Sequence, residues 1–452
     1  MREHSRVHPH ARPRSHPRGR SRERARALAR RIDAATPPGR DRALDALRAL
    51  AILGVVLGHW LVTALVADSG SLRVESPLGH RPELTPVSWV FQTLAVFFLV
   101  GGHVAARGHA AARARGVSHG RWIATRLGRL FRPVVPLLAV WAAATAVMFG
   151  CGVPWETVWT LGRLVLSPLW FLLVLAALTA ATPLAARVHP LWPLAVVLHV
   201  DLIRFGLGGP DGPDWLGLLG WLNLPAGWLV PYTLGVLLAR RGAPPPGVAW
   251  TLLLGGATAT GLLVAFAGYP GSMVGVPGAP VSNLSPPTLA AVTFGLAQCG
   301  AAVLLLGPLR RALRRPLAWA VVALLNLRAM TVFLWHQTAM IAVTAGALFA
   351  AGLVGRPPLT GLHTVPDTYA WVLARFAWLP LFTGALIVCC AVFHAYERAP
   401  RGAPRSTSRS ASRSAPRSAP QGTPRNSRDI GTPRTAAAPH ARPDTRTEAR
   451  HA

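Results

Sequence analysis

Arg48 and His59 lie eleven residues apart in the apolar stretch RALAILGVVLGHW, which has the composition of a membrane-spanning helix. In a helix this spacing is about three turns, so both side chains lie on one face, about 16 Å apart along the axis. Ionisable side chains are costly in hydrocarbon and usually face a protein interior or a wet cavity. Neutral imidazole can accept a proton from a hydroxyl group, so His59 is a candidate general base, with Arg48 as a second candidate catalytic residue.

Both residues also have a structural interpretation. An imidazole between helices can simply hydrogen-bond them together, and the residues alone favour neither role for His59. A lone arginine near the end of a span is more often an interfacial anchor, which is the default for Arg48. Asp45, three residues before Arg48, is expected to pair with it and fix its orientation.

A second basic group lies in TRLGRLFRP, where Arg126, Arg129 and Arg132 follow one another at three-residue spacing. These side chains lie on nearby faces at the start of a helix. Guanidinium groups bind phosphate in bidentate fashion, so the group is a candidate site for a phosphate or pyrophosphate. On physical grounds alone, an anchor of positive charge at the membrane surface is the more common explanation.

Three further residues are candidates with structural alternatives. His336 in MTVFLWHQ is a second intramembrane imidazole, with Gln337 as a possible partner. A role in the chemistry and a structural role in an interhelical hydrogen bond explain it equally well. Trp170 in SPLWFL could stack on a ligand, although an interfacial aromatic belt is favoured. Asn283 in SNLSPPTLA is expected to order a loop or cap a helix whose first turn contains Pro286 and Pro287.

The composition predicts an all-α, polytopic membrane helical bundle of about ten transmembrane helices. Of the 452 residues, 51% are hydrophobic and 14% are charged, and all 47 basic residues are arginine. Thirteen of them lie in residues 1–42 and twelve in residues 397–452, so we expect disordered arginine-rich tails around a membrane domain at 43–396. Despite the high pI, no nucleic-acid partner is expected, because the body has no basic soluble domain or nucleic-acid motif.

The distribution of arginine also predicts an orientation. Ten apolar segments are long enough to span, near 44–66, 86–106, 130–149, 166–186, 188–204, 215–239, 248–268, 288–307, 328–350 and 369–394. Residues 188–204 are the weakest of these, and 310–327 could begin as an amphipathic surface helix. Most arginines outside the spans fall in loops on the side that holds both termini, which indicates a multi-pass plasma-membrane protein with cytoplasmic ends.

Several ordered motifs together resemble the acyltransferase 3 family of integral membrane O-acyltransferases. These are RALDALRALAILGVVLGHW, VFFLVGGH, RLGRLFRP, SPLWFL and MTVFLWHQ, and SNLSPPTLAAVTFGLAQCG looks like the actinobacterial branch. The resemblance covers about residues 42–398. It implies ten transmembrane helices and transfer of an acyl group, often acetyl from acetyl-CoA, to a hydroxyl of a carbohydrate, envelope component or secondary metabolite.

The resemblance also implies roles for individual residues. The Arg-x10-His element of the family matches Arg48 and His59, and its Arg-x-x-Arg element matches Arg126 and Arg129. His59 would then be the catalytic base, and Arg126 and Arg129 would contact acyl-CoA as donor substrate. No bound cofactor or metal is expected, and the partners are acyl-CoA, a hydroxyl-bearing acceptor and the lipid bilayer.

Two other classes of function compete with this interpretation. Ten spans with intramembrane polar groups also suit a small-molecule transporter, although the Arg48/His59 stripe has no counterpart five spans later. A non-enzymatic membrane scaffold could use the arginine-rich tails to bind lipids. Hydrolase, metalloprotease and NTPase functions have no support, because the sequence contains no GxSxG, HExxH or Walker loop.

Overall fold

The computed structural model describes residues 17–68, 70–207, 214–393 and 395, and most of these residues are helical. The first helices are α1 (Pro17–Ala34), α2 (Arg42–Val62), α3 (Pro77–His80), α4 (Thr85–Ser88), α5 (Leu94–Ala114), α6 (His119–Phe131), α7 (Val134–Gly150), α8 (Trp155–Leu166) and α9 (Leu169–Ala180). They are followed by α10 (Thr182–Ala185), α11 (Leu191–Gly206), α12 (Asp214–Gly220), α13 (Asn223–Arg241), α14 (Pro246–Phe266), α15 (Leu289–Ala312), α16 (Pro316–Leu327), α17 (Ala329–Leu353) and α18 (Tyr369–Phe393). The strands β1 (Ala64–Asp68) and β2 (Ser71–Glu75) form one antiparallel hairpin, and a 3-10 turn covers Pro82–Leu84. The predicted all-α class is confirmed.

In the described part of the chain, nine helical segments are long and apolar enough to cross a membrane. They are Arg42–Val62, Leu94–Ala114, His119–Gly150, Trp155–Ala180, Trp215–Arg241, Pro246–Phe266, Leu289–Ala312, Ala329–Leu353 and Tyr369–Phe393. The predicted span at 188–204 has no counterpart among these nine segments. It corresponds to α11, whose 16 residues are only about 24 Å long.

Hydrogen bonds at the two ends of α11 show that it nevertheless connects opposite ends of the bundle. Shortly before α11, the carbonyl of Ala186 accepts a hydrogen bond from Arg240 at the C-terminal end of α13. Near the other end of α11, Asp201 accepts hydrogen bonds from Asn223 at the start of α13 and from the amide of Leu289 at the start of α15. Because α13 is a full span, α11 runs beside it from one end to the other.

Several predicted boundaries differ from the observed ones, and prolines lie at three of them. The span predicted at 86–106 begins at Leu94, after short turns that contain Pro82 and Pro86. The span predicted at 166–186 corresponds to the segment Trp155–Ala180, in which α8 and α9 are separated at Pro168. Helices α6 and α7 likewise form one segment interrupted at Pro133.

The prediction of a disordered tail over 1–42 is wrong for residues 17–34, which form α1. Arginine and alanine dominate this segment, and both are strong helix formers. Helix α1 packs against α16, where Ala29 is buried and the Trp319 indole donates to Thr36 just beyond α1. Residues 1–16 and the whole predicted C-terminal tail, 397–452, lie outside the described residues.

Helix α2 lies at the centre of the bundle and contacts α5, α15, α16, α17 and α18. It begins at the N-cap Asp41, whose carboxylate accepts from the amides of Ala43 and Leu44 and pairs with Arg310 at 2.7 Å. Partial burial raises the pKa of Asp41, but these hydrogen bonds and the Arg310 charge outweigh burial, so that its pKa is lowered overall.

The C-terminal end of α2 is held by Arg375 of α18, which is fully buried. Its guanidinium donates to the carbonyls of Trp60 and Thr63, both at 2.6 Å, and to the carbonyl of Gly361 at 2.9 Å. Carbonyl groups in the last turn of a helix lack partners within the helix, so this cation satisfies two of them. The backbone that follows His59 is therefore anchored.

Helices α5 and α13 pack closely against each other. Gly102 of α5 lies against the carbonyl of Tyr232, and Gly235 of α13 lies against the carbonyl of Leu99. At either glycine, a β-carbon would collide with the opposing backbone. Small residues of this kind let membrane helices approach closely, and this contact fixes the position of α5, which lines both cavities of the candidate site described below.

Candidate active site

A cavity of about 360 Å³ is lined by Arg126 and Arg129 of the predicted arginine group but not by Arg132, and we call it the arginine cavity. Its charged lining residues in the described chain are Arg48 from α2 and Arg126 and Arg129 from α6. Asn326 adds an amide, and the rest of the wall is largely apolar. Tertiary structure thus brings together two motifs that are almost eighty residues apart in the sequence.

Arg48 is held in place by polar neighbours. Its Nε donates to Oδ1 of Asn326 at 2.6 Å, and its guanidinium lies 3.7 Å from the carboxylate of Asp45, which confirms the predicted pair. Asn326 in turn donates to the carbonyls of Asp45 and Val322. This network holds Arg48 in the wall of the cavity.

Arg126 and Arg129 occupy different environments within the same cavity. Arg126 donates to the carbonyl of Val104 at 3.0 Å, and its guanidinium lies 5.7 Å from the ring centroid of Trp122. It reaches this carbonyl across Gly108, where a side chain would contact the guanidinium. Arg129 is exposed and has no ion-pair partner among the described residues. One arginine is thus fixed and the other is available to a soluble anion.

A second cavity, of about 490 Å³, contains His59, and we call it the histidine cavity. Aromatic side chains form much of its wall, including Phe91, Phe171, Phe333 and Trp170. The only other charged lining residue in the described chain is Arg163 of α8. This cavity therefore offers an imidazole in an aromatic, weakly charged environment.

His59 is partly accessible from this cavity and is held by Gln337 of α17, whose Nε2 lies 3.1 Å from Nδ1 of the imidazole. His336 lies beside it, with the two ring centroids 5.1 Å apart. His336 is fully buried and donates from Nδ1 to the carbonyl of Phe333 at 2.6 Å, which leaves its Nε2 without a partner in the described structure. Gln337 is therefore the partner of His59, and the predicted pairing of Gln337 with His336 is wrong.

The structure separates the other two candidates. Trp170 lies in the wall of the histidine cavity, with its ring centroid 6.2 Å from that of Phe171, where a bound ligand could contact it. Asn283 is fully buried and lines neither cavity. It donates to the carbonyls of Pro270 and Ser272 and accepts from Thr288, which confirms a loop-ordering role.

Pro286 and Pro287 precede α15 instead of forming its first turn. The N-cap is Thr288, whose hydroxyl accepts from the amide of Ala291, and the helix begins at Leu289. The adjacent residues Leu284 and Ser285 line the histidine cavity. Asn283 therefore supports the wall of the site from outside.

Three residues that position the site were not predicted from the sequence: Asn326, Arg375 and the helix-breaking Pro168. A visible signal existed for the first two, because an amide in PLAWAVVALLNL and an arginine in YAWVLARFAWLPLF are costly in apolar helices. Their partners could not be read from the sequence, since Asn326 bonds to a residue 278 positions away and Arg375 to one 315 positions away.

One comparison with known proteins identifies a family. The family model described as an acyltransferase domain, acyltransferase 3, matches residues 41–395, almost the whole described body of the chain. The chain belongs to this family, and the protein is a membrane acyltransferase. No curated protein and no solved structure matches it. The family assignment favours the enzyme over the transporter and scaffold alternatives.

Proposed function

We propose that this protein transfers an acyl group, most simply acetyl from acetyl-CoA, to a hydroxyl group of a carbohydrate, envelope component or secondary metabolite. One observation supports this above all: helix α2 presents Arg48 to the arginine cavity and His59 to the histidine cavity. A single rigid helix thus connects a group suited to an anion with a group suited to proton transfer. An acyl-CoA donor and a neutral hydroxyl acceptor need this pair of environments.

The donor binds in the arginine cavity. Coenzyme A carries phosphate and pyrophosphate groups, which guanidinium groups bind through charge-assisted hydrogen bonds. Arg126 and Arg129 contact these phosphates in the proposal, and the fixed Arg48 lies deeper along the path toward His59. The apolar remainder of the wall accommodates the uncharged arm that ends in the thioester.

The acceptor binds in the histidine cavity, where His59 acts as general base. Its Nε2 takes the hydroxyl proton as the acceptor oxygen attacks the thioester carbonyl carbon, and a new C–O bond forms. The C–S bond then breaks, and the thiolate of coenzyme A receives the proton from the imidazolium. The products are the ester and free coenzyme A, and His59 returns to its neutral form.

Gln337 is placed to set the tautomer of His59. In the structure its Nε2 faces Nδ1 of the imidazole. A base at Nε2 requires a proton on Nδ1, so the amide is turned in the active enzyme we propose, with Oε1 accepting that proton. We therefore assign Gln337 as a positioning residue for His59.

The proposal includes an orientation in the plasma membrane. Both termini and the arginine cavity face the cytoplasm, where acyl-CoA is available, and the histidine cavity faces the acceptor on the other side. The positive residues at the ends of α5, α13 and α15 support this orientation by the positive-inside tendency. The order of motifs supports placement in the actinobacterial branch of the family.

The experiment uses purified full-length protein in lipid nanodiscs, acetyl-CoA radiolabelled in the acetyl group, and an envelope extract from a strain that lacks the protein. We expect label to enter an alkali-labile product of the extract, as an ester requires. His59→Ala is the matched inactive variant and should insert and bind donor normally. The assay is repeated with every extract fraction and with acyl-CoA donors of other chain lengths. The proposal would be refuted if the label always remained in the acyl-CoA or in the free acid.

A further inference from the structure

Four helices contribute to both cavities through residues one turn apart. In α2 these are Ile52 and Val55, and in α17 they are Met330 and Phe333, with the first of each pair in the arginine cavity. Helices α5 and α9 repeat the pattern with Phe97 and Leu94 and with Leu175 and Phe171, respectively. Since one turn rises about 5 Å, the two cavities are separated by a layer only one side chain thick.

Three aromatic rings lie in this layer, and we call them the aromatic partition: Phe97, Phe171 and Phe333. The Phe171 ring is central, because its centroid lies 4.9 Å from that of Phe97 and 5.4 Å from that of Phe333. Phe97 faces the arginine cavity, and the other two rings face the histidine cavity. Phe171 itself is only 2% exposed and lies in the first turn of α9, just after Pro168.

We infer that Phe171 is a specificity-determining residue that separates the donor from water and opens the way to His59 only for transfer to an acceptor. The inference rests on the proposed function, because it assigns the thioester to one cavity and the base to the other. With the partition in its observed position, a thioester in the arginine cavity cannot reach His59. The Phe171 side chain must therefore move during each turnover.

Water is the competing acceptor that this arrangement excludes. A water molecule next to His59 could give its proton to the imidazole while its oxygen attacks the thioester carbon. The C–S bond would break, coenzyme A would take up the proton, and acetate would be lost. Enzymes that handle reactive acyl groups gain by keeping water from them until the acceptor is bound.

Phe171 is well placed to respond to the acceptor. It forms part of the wall of the histidine cavity beside Trp170, so an acceptor bound there contacts the partition directly. The same acceptor displaces water from the neighbourhood of His59. Opening of the partition and removal of water are thereby caused by one binding event.

The test compares Phe171→Leu with Phe98→Leu in full-length protein in nanodiscs. Phe98 is the matched control, because it is equally buried and its ring lies 4.9 Å from that of Phe171, yet it lines neither cavity. Release of coenzyme A thiol is measured without acceptor, and transfer of labelled acetyl is measured with envelope extract. We expect Phe171→Leu to raise the ratio of hydrolysis to transfer about tenfold or more, and Phe98→Leu to leave that ratio nearly unchanged.

Phe171→Ala should raise the ratio further, and the double variant Phe171→Leu with His59→Ala should lose the hydrolysis, because water then lacks its base. Circular dichroism and elution volume confirm that each variant is folded. Equal ratios in wild type, Phe171→Leu and Phe98→Leu would overturn the inference. Hydrolysis that persists in the double variant would also overturn it, since the water would not then be activated at His59.

Failure of this inference is distinguishable from failure of the proposed function. If the wild type transfers acetyl and the Phe171 variants behave like the Phe98 variant, only the role of the partition is refuted. If the wild type neither transfers nor releases coenzyme A with any extract, the proposed function fails first.

Discussion

The arginine cavity and the histidine cavity share four helices, yet they offer opposite chemical environments. One presents three guanidinium groups, and the other presents an imidazole surrounded mainly by aromatic side chains with a single arginine. Part of this difference lies in the shared helix α2, which presents Arg48 to one cavity and His59 to the other, and part lies in α6, which contributes Arg126 and Arg129 only to the arginine cavity. The comparison shows how one bundle can bind a highly charged donor and a weakly charged acceptor from opposite ends.

The largest effect should follow from removing the base, which tests whether the histidine cavity is the reactive one. We expect His59→Ala to lower acetyl transfer by a factor of about 100 to 10,000, because general-base catalysis contributes on this scale. Binding of coenzyme A, measured by calorimetry, should stay unchanged, since the arginine cavity is intact. His199→Ala is the control, because His199 is an exposed helical histidine outside both cavities.

Removing one guanidinium should affect only the donor side of the comparison. Arg126→Ala is expected to raise KM for acetyl-CoA by about 10- to 100-fold, since hydrogen bonds to charged groups contribute about 1.5–3 kcal/mol. Arg121→Ala removes a charge from the same helix but not from the cavity, and it should leave KM nearly unchanged. Equal effects of the two substitutions would indicate general surface charge instead of a donor site.

Replacing Gln337 sharpens the assignment of His59 as a base. Gln337→Leu should lower kcat about tenfold without changing KM for acetyl-CoA, because it removes the partner of Nδ1. Gln337→Glu should retain more activity, since a carboxylate accepts the Nδ1 proton and keeps Nε2 free. Higher activity in the leucine variant than in the glutamate variant would contradict the proposed tautomer.

The smallest effect concerns the end of α2 nearest the arginine cavity. Asp41→Ala should lower the free energy of unfolding by about 1 kcal/mol, because the N-cap is lost. Since the pKa of Asp41 is lowered in the folded state, its contribution is present above the unfolded pKa near 4 and is lost as pH falls through the folded value. The difference in Tm between neutral and acidic pH should therefore be smaller for Asp41→Ala than for the wild type. Arg314→Ala serves as a nearby surface control.

The sequence predicts the fold better than it predicts which side chains contact one another. Long apolar runs can only become helices in a bilayer, because backbone groups must be satisfied within the segment, and this is why the predicted spans agree in kind with the observed ones. Helix boundaries near proline were less predictable. The helix α1 was missed because composition suggested disorder, whereas its burial against α16 is a tertiary effect.

For the site, helical periodicity is sufficient to place Arg48 and His59 on one face of α2, because that relation is local. Only the tertiary structure joins Gln337 to His59 and Asn326 to Arg48, and only it shows that Phe171 lies between two cavities. These contacts join residues from different helices, and their geometry depends on how the helices pack. The chain thus encodes its chemical groups locally, while the packing of the bundle decides which of them meet.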